Sequence, residues 1–180
     1  MNKTELKEAL CTHTSLFSVN HLTWKIEQQS DRFPVLYELA STDGSRSAYR
    51  ALWVCEKLSE KHPSWFAPFY NELIEKLKRC KHEGSRRLLL SILHNLPVPP
   101  ALPVQLLNYC FDHMLLPQES IAIQALSIKT AYKLCRQDPD LLNELKTVLE
   151  NVEAEYYSPG VQAAIRGTLQ KLKKVAMKRD

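Results

Sequence analysis

Glycine is scarce in this chain, with four residues among 180. That is too few for a glycine-rich phosphate loop, and no GxGxxG, GxxxxGK[ST] or GxSxG pattern occurs. Long apolar runs are missing as well. None approaches the roughly 20 residues that a membrane-crossing helix needs. The opening residues, MNKTELKEALCT, alternate in charge and hold no apolar signal segment, so a cytoplasmic protein is expected. An even set of cysteines is also lacking. Cys11, Cys55, Cys80, Cys110 and Cys135 are five in number and widely spaced, which argues against a disulfide framework. Most of them fall at apolar helical positions, where a free thiol packs as a small hydrophobe. Strand patterns are absent too, because prolines break the stretch around Val98.

Helical periodicity is what the chain does have. An apolar fraction of 44% is ordinary for a globular chain and argues against disorder. The length fits one domain with a proper core. Pro63, Pro97, Pro99, Pro100, Pro117, Pro139 and Pro159 fall between periodic runs and cut the chain into helical segments. Three of the glycines, Gly44, Gly84 and Gly160, stand just ahead of a helical apolar pattern, and a fourth such helix opens at Gln118-Glu119-Ser120-Ile121. The resulting spacing of 35 to 41 residues predicts a repeated helix hairpin.

The second helix of each hairpin, here a B helix, starts at these turns. The first runs from about Ser45 to Lys61. Ala48, Ala51, Leu52, Cys55 and Leu58 form one face; Arg46, Arg50, Trp53, Lys57 and Lys61 lie opposite. Matching columns recur down the chain. Leu52, Leu93, Ile128 and Ile165 form the strongest, and Ala51, Ile92, Ser127 and Ala164 form a second, mostly small one. The first, or A, helices are expected near Asp31–Ser41, Ser64–Cys80, Leu102–Leu115 and Pro139–Tyr156. Two weaker amphipathic patterns precede them, carrying Leu6 and Leu10, then Val19, Leu22 and Ile26.

These helix pairs and apolar columns resemble the HEAT/armadillo-like superfamily of α-solenoids over nearly the whole chain. The expected fold is all-α: a short right-handed α-solenoid of about four to five HEAT-like helix hairpins. Residues 1–180 are expected to form a single domain, with 1–30 as a degenerate capping repeat and 31–177 as the repeats. Solenoid repeats cannot bury their apolar faces singly, so neighbours must stack.

Charge is uneven against a formal net of +4. Taken together, the B segments are net basic and the A segments net acidic. The contrast peaks in Gly160–Asp180, with six basic residues and one acidic, against Asp138–Tyr156, with one basic and six acidic. In the family resembled, B helices line the concave side. A basic strip there would face an acidic partner. Its candidates are Arg46, Arg50, Trp53, Lys57, Arg87, His94, Lys129, Lys133 and Arg166. The competing reading makes these solvated faces, and much of the excess lies in the terminal Lys171–Lys174 and Lys178-Arg179 clusters.

Catalytic and metal constellations find little support. Cys110 and His113 could share a helix face, but a zinc site needs two more ligands. Asp112 and His113 are adjacent on a helix and point about 100° apart, so they cannot pair as a dyad. No catalytic residue, metal or cofactor is expected. Trp24 and Trp65 are expected in the core, the latter in a cluster with Phe66, Phe69 and Tyr70. Trp53, by contrast, falls among arginines on a charged face, a pattern typical of recognition. The leading expectation is a non-enzymatic module that binds a protein partner with an acidic surface or segment. The alternative is nucleic-acid binding, with a similarity to HEAT-like glycosylases of alkylated DNA, whose catalytic residues find no match in this chain.

Overall fold

The computed structural model describes residues 3–12, 15–42 and 45–176. Gly44 with its neighbour Asp43, and Lys178-Arg179, lie outside the described residues. Ten α-helices occur among the described residues, and no strand. They are α1 (Lys3–Thr12), α2 (Leu16–Gln28), α3 (Phe33–Ala40), α4 (Arg46–Lys61), α5 (Tyr70–Arg79), α6 (Glu83–Asn95), α7 (Val104–Met114), α8 (Ile121–Cys135), α9 (Pro139–Glu150) and α10 (Pro159–Ala176). None of them is long and apolar enough to cross a membrane. Two compact units divide at Leu96 and Pro97.

In the N-terminal unit α4 is the central helix, packing against α1, α2, α3 and α6. Ser45 caps it by accepting the Ala48 N–H at 3.0 Å, as a serine ahead of an apolar run should. Ala48, Ala51, Leu52, Cys55 and Leu58 are buried as their helical spacing requires. Val54 is buried as well, and Trp53 and Arg50 are half-covered. The wheel alone underestimates this burial because neighbours pack on several sides of α4. Beneath α4 an aromatic cluster joins Phe33 and Tyr37 of α3 to Trp65, Phe66 and Phe69. Phe66 is fully buried, 4.8 Å edge-on to Phe33, and Tyr37 stacks on Phe69 at 4.1 Å. Full burial of a ring such as Phe66 contributes roughly 1.5–3 kcal/mol. Pro68 explains why α5 starts later than the periodicity predicts. Residues 63–69 form two short 3-10 turns, and the regular helix begins only at Tyr70.

The leading apolar positions of α1 and α2, Leu6, Leu10, Val19, Leu22 and Ile26, are all buried. Trp24 corrects the expectation of a core residue. It is 55% exposed, stacked on His21, on the same face of α2 as the exposed Leu16 and Phe17. The alternative face of α2, carrying Val19, Leu22 and Ile26, faces the core.

In the C-terminal unit α8 holds the central place, packing against α7, α9 and α10. Ile128, Ala131 and Leu134 of α8 are buried with Val161, Ala164 and Ile165 of α10. Leu52, Leu93, Ile128 and Ile165, the strongest sequence column, are thus all core residues. Side chains also bind the turns to each other. The Tyr157 hydroxyl donates to the Leu115 carbonyl at 3.0 Å, and Gln124 Nε2 donates to the Leu116 carbonyl at 2.9 Å.

The glycines do a different task from the one their place in the sequence suggests. Gly84 and Gly160 sit inside the first turns of α6 and α10, not in the loops before them. A Cβ on Gly84 would meet the Tyr49 ring of α4 at 3.0 Å, and one on Gly160 would meet Ile121 Cγ2 of α8 at 2.9 Å. In both units, then, glycine lets the start of one B helix approach the start of the other.

Candidate functional site

That close approach shapes the main groove of the N-terminal unit, an open depression of about 1070 Å³. Its walls are the end of α3, the first half of α4, the end of α5 and the start of α6. Ala48, Leu52 and Leu89 give it an apolar floor, with Tyr49 and Trp53 as aromatic walls. Tyr49 stands edge-on to His82 at 5.5 Å. His82 in turn caps α6, its Nδ1 accepting the Ser85 N–H at 3.1 Å. Arg46, Arg50, Lys76, Arg79 and Lys81 line the groove against two acids, Glu72 and Glu75. Both B helices begin here, so their dipoles add to the positive potential.

These charges are not equivalent. Lys76 pairs with Glu72 at 2.6 Å, donates to the Ser41 hydroxyl and lies over the Tyr37 ring. Burial, then the adjacent Glu72 carboxylate, push the Tyr37 phenol well above its ordinary range. Arg79 sits 3.8 Å from Glu75 and is largely exposed. Arg50 reaches to the end of α1, its Nη1 donating to the carbonyls of Leu10 and Cys11, the latter at 2.8 Å. A helix C-terminus presents such unpaired carbonyls, and a guanidinium is suited to them. Arg50 therefore ties α1 to α4 as well as lining the groove. Arg46 and Lys81 are exposed and have no ion-pair partner among the described residues.

Of the nine candidates read from the sequence, the groove gathers Arg46, Arg50 and Trp53. Lys57 lies farther along α4, 2.8 Å from Glu60 and 3.2 Å from Glu56. Its hydrogen bond to Glu60 holds its ammonium pKa above the ordinary value, against the opposing effect of burial. Glu56 is itself buried and accepts from Ser91 of α6 at 2.9 Å, so this part of the α4 face helps join two helices. Arg87 and His94 are half-buried on α6 and do not line the groove. Lys129, Lys133 and Arg166 belong to the C-terminal unit, where Lys129 and Arg166 are exposed and burial lowers the Lys133 pKa.

Sequence reading missed Lys76, Arg79 and Lys81. The signal was present as the basic run closing the second A helix, whose segment is net positive. It was overlooked because A helices were expected away from the ligand, whereas at the turn edge the ends of A helices and the starts of B helices meet. Cys110 is buried, and burial pushes its thiol pKa up. His113 pairs with Glu119 at 2.7 Å rather than with Asp112, and lies on the Tyr109 ring. Among the described residues no three His, Cys, Asp or Glu side chains gather as a metal site.

No curated protein and no solved structure matches this chain. A family model, that of the HEAT repeat domain, matches residues 6–172. This span takes in both compact units and almost every described helix. The all-α hairpins and their columns of buried residues agree with it, and the chain belongs to the HEAT repeat family.

Proposed function

We propose that this protein is a non-enzymatic binding module that holds an acidic segment of a partner protein in the groove between α4 and α6. HEAT repeat domains are scaffolds that typically mediate protein interactions, and the family is generally non-catalytic. The groove itself carries the finer reading. Arg46 and Lys81 present cationic groups beside a half-exposed tryptophan, over an apolar floor. Arginine and tryptophan are the residue types in which binding energy concentrates, and the charge adds steering and specificity. The proposal treats residues 1–180 as one repeat domain, supported by the continuous family match. It also sets the protein in the cytoplasm, in keeping with its five free cysteines.

Fluorescence anisotropy with a labelled glutamate-rich peptide tests this reading. An Arg46→Glu, Lys81→Glu variant should bind at least about tenfold more weakly than the wild type, and added salt should weaken the wild type. Both positions are exposed, so the fold should survive. Arg50 is a poor choice for this test because its loss would also uncap α1. Equal binding by the two proteins refutes the reading. A random-sequence DNA duplex that binds more tightly than the peptide, with a steep salt dependence, would assign the groove to nucleic acid instead.

A further inference from the structure

The C-terminal unit has a groove of its own at the corresponding turn edge, about 600 Å³ in volume. It is formed by two chain segments, 115–124 and 150–162. Together these hold four carboxylates, Glu119, Glu150, Glu153 and Glu155, and no lysine, arginine or histidine. Glu119 and Glu153 line the groove. Glu119 is turned inward to His113, whereas Glu153 and Glu155 are exposed. The same two segments carry large apolar side chains that the fold leaves in water. Tyr156 is 79% exposed and Ile121 53%, and both line the groove. Leu116, next to it in the chain, is also exposed.

The groove is also held in shape. The Tyr157 hydroxyl fastens the 150–162 segment to the Leu115 carbonyl at 3.0 Å. Gln162 Nε2 donates to the Tyr157 carbonyl at 2.8 Å. Gln124 fixes the other segment through Leu116. A surface that is already ordered loses little entropy on binding.

We propose that this edge is a second docking site, specific for a lysine- or arginine-bearing segment of a partner protein with an aliphatic residue beside the cation. Charge complementarity selects the occupant. The exposed carboxylates and the open face of the Tyr156 ring both attract an ammonium or guanidinium group. Ile121 offers the adjacent aliphatic contact. The starts of α8 and α10 bring some positive potential to the same edge; Glu119 is paired with His113 and Glu150 with Lys146, so the exposed Glu153 and Glu155 supply the attraction. This inference does not depend on the acidic-segment reading of the other groove.

The probe is a short fluorescein-labelled peptide alternating lysine with leucine, and a glutamate–leucine peptide is its control. Wild type should bind the lysine peptide and not the control. A Glu153→Lys, Glu155→Lys variant and a Tyr156→Ala variant should each lose roughly tenfold or more in affinity. All three side chains are exposed, so these changes leave the core intact. An Asp140→Lys, Glu144→Lys variant carries the same change of net charge on α9, outside the groove, and should bind as wild type does. An Arg46→Gln, Lys81→Gln variant should also bind the lysine peptide unchanged, which separates this site from the other groove. The proposal is overturned if wild type fails to bind the lysine peptide or binds the control equally. It is equally overturned if the Asp140, Glu144 variant loses as much affinity as the groove variants.

Discussion

In the N-terminal unit the turn edge is lined by Arg46, Arg79 and Lys81 around Trp53 and Tyr49. In the C-terminal unit the same kind of edge carries Glu119 and Glu153 around Tyr156 and Ile121. Both grooves form where two A helices end and two B helices begin, and both use a glycine in the second B helix for close approach. The backbone plan therefore fixes where a groove lies. The residues in and next to the turns fix the sign of its charge. The cores differ too. The N-terminal unit gathers Phe33, Tyr37, Trp65, Phe66 and Phe69 into one aromatic cluster, whereas aliphatic side chains dominate the buried residues of the C-terminal unit.

The comparison can be broken most strongly at that cluster. Phe66→Ala removes a fully buried ring that packs on Phe33 and Tyr37, and should cost about 3–5 kcal/mol. Chemical denaturation gives the loss. Hydrogen exchange should place its first effects in α3 and α5 rather than in α7 to α10. Equal loss of protection in all of these helices would show that the aromatic cluster is not local to one unit.

A smaller effect compares the glycines. In Gly84→Ala the new methyl group meets the Tyr49 ring, itself held by His82. Overpacking there should outweigh the gain in helix propensity and cost about 1 kcal/mol. Gly160→Ala would meet Ile121 Cγ2 at 2.9 Å, a branch methyl that moves only if the stiff χ1 of this isoleucine changes, so its cost should be similar. Gly167 lies inside α10 with nothing within 4 Å of a Cβ, and Gly167→Ala should stabilise the protein by about 0.5–1 kcal/mol. Thermal melts should place Gly167→Ala above wild type and the other two variants below it. A stabilising Gly84→Ala would sink the close-approach argument.

Thiol labelling sharpens the contrast at the lowest cost in energy. Burial raises the pKa of Cys55, Cys110 and Cys135, the last to about 12. These thiols stay neutral and shielded in the native state. Exposed Cys11 and half-exposed Cys80 should react with an aromatic disulfide reagent at neutral pH, and the other three only after unfolding. The sign of the linkage follows. A thiol kept neutral by the fold ionises more readily when unfolded, so stability should fall as pH rises from about 9 toward 12. Fast native labelling of all five cysteines would contradict the burial of these positions in α4, α7 and α8.

Much of the architecture was legible in the chain itself. A helical repeat of apolar residues is a local property, and burial follows from it. The alternation of Ala48, Ala51, Leu52, Cys55 and Leu58, and its recurrence at Leu93, Ile128 and Ile165, determined the helices, their inner faces and the repeat family. What a helix does with its other face depends on neighbours distant in sequence, and only the tertiary structure decided that. Arg50 was readable as a cation on an outer face, but its bonds to the end of α1 arise from packing between residues some forty positions apart. Trp24 has the composition of a core residue and lies exposed because Val19, Leu22 and Ile26 take the inward face of α2. Gly84 and Gly160 were visible as punctuation, and their reason, a neighbouring helix at van der Waals distance, was not. The grooves belong to the same class. Each assembles residues distant in sequence, and its charge is the sum of residues that no single helix wheel brings together.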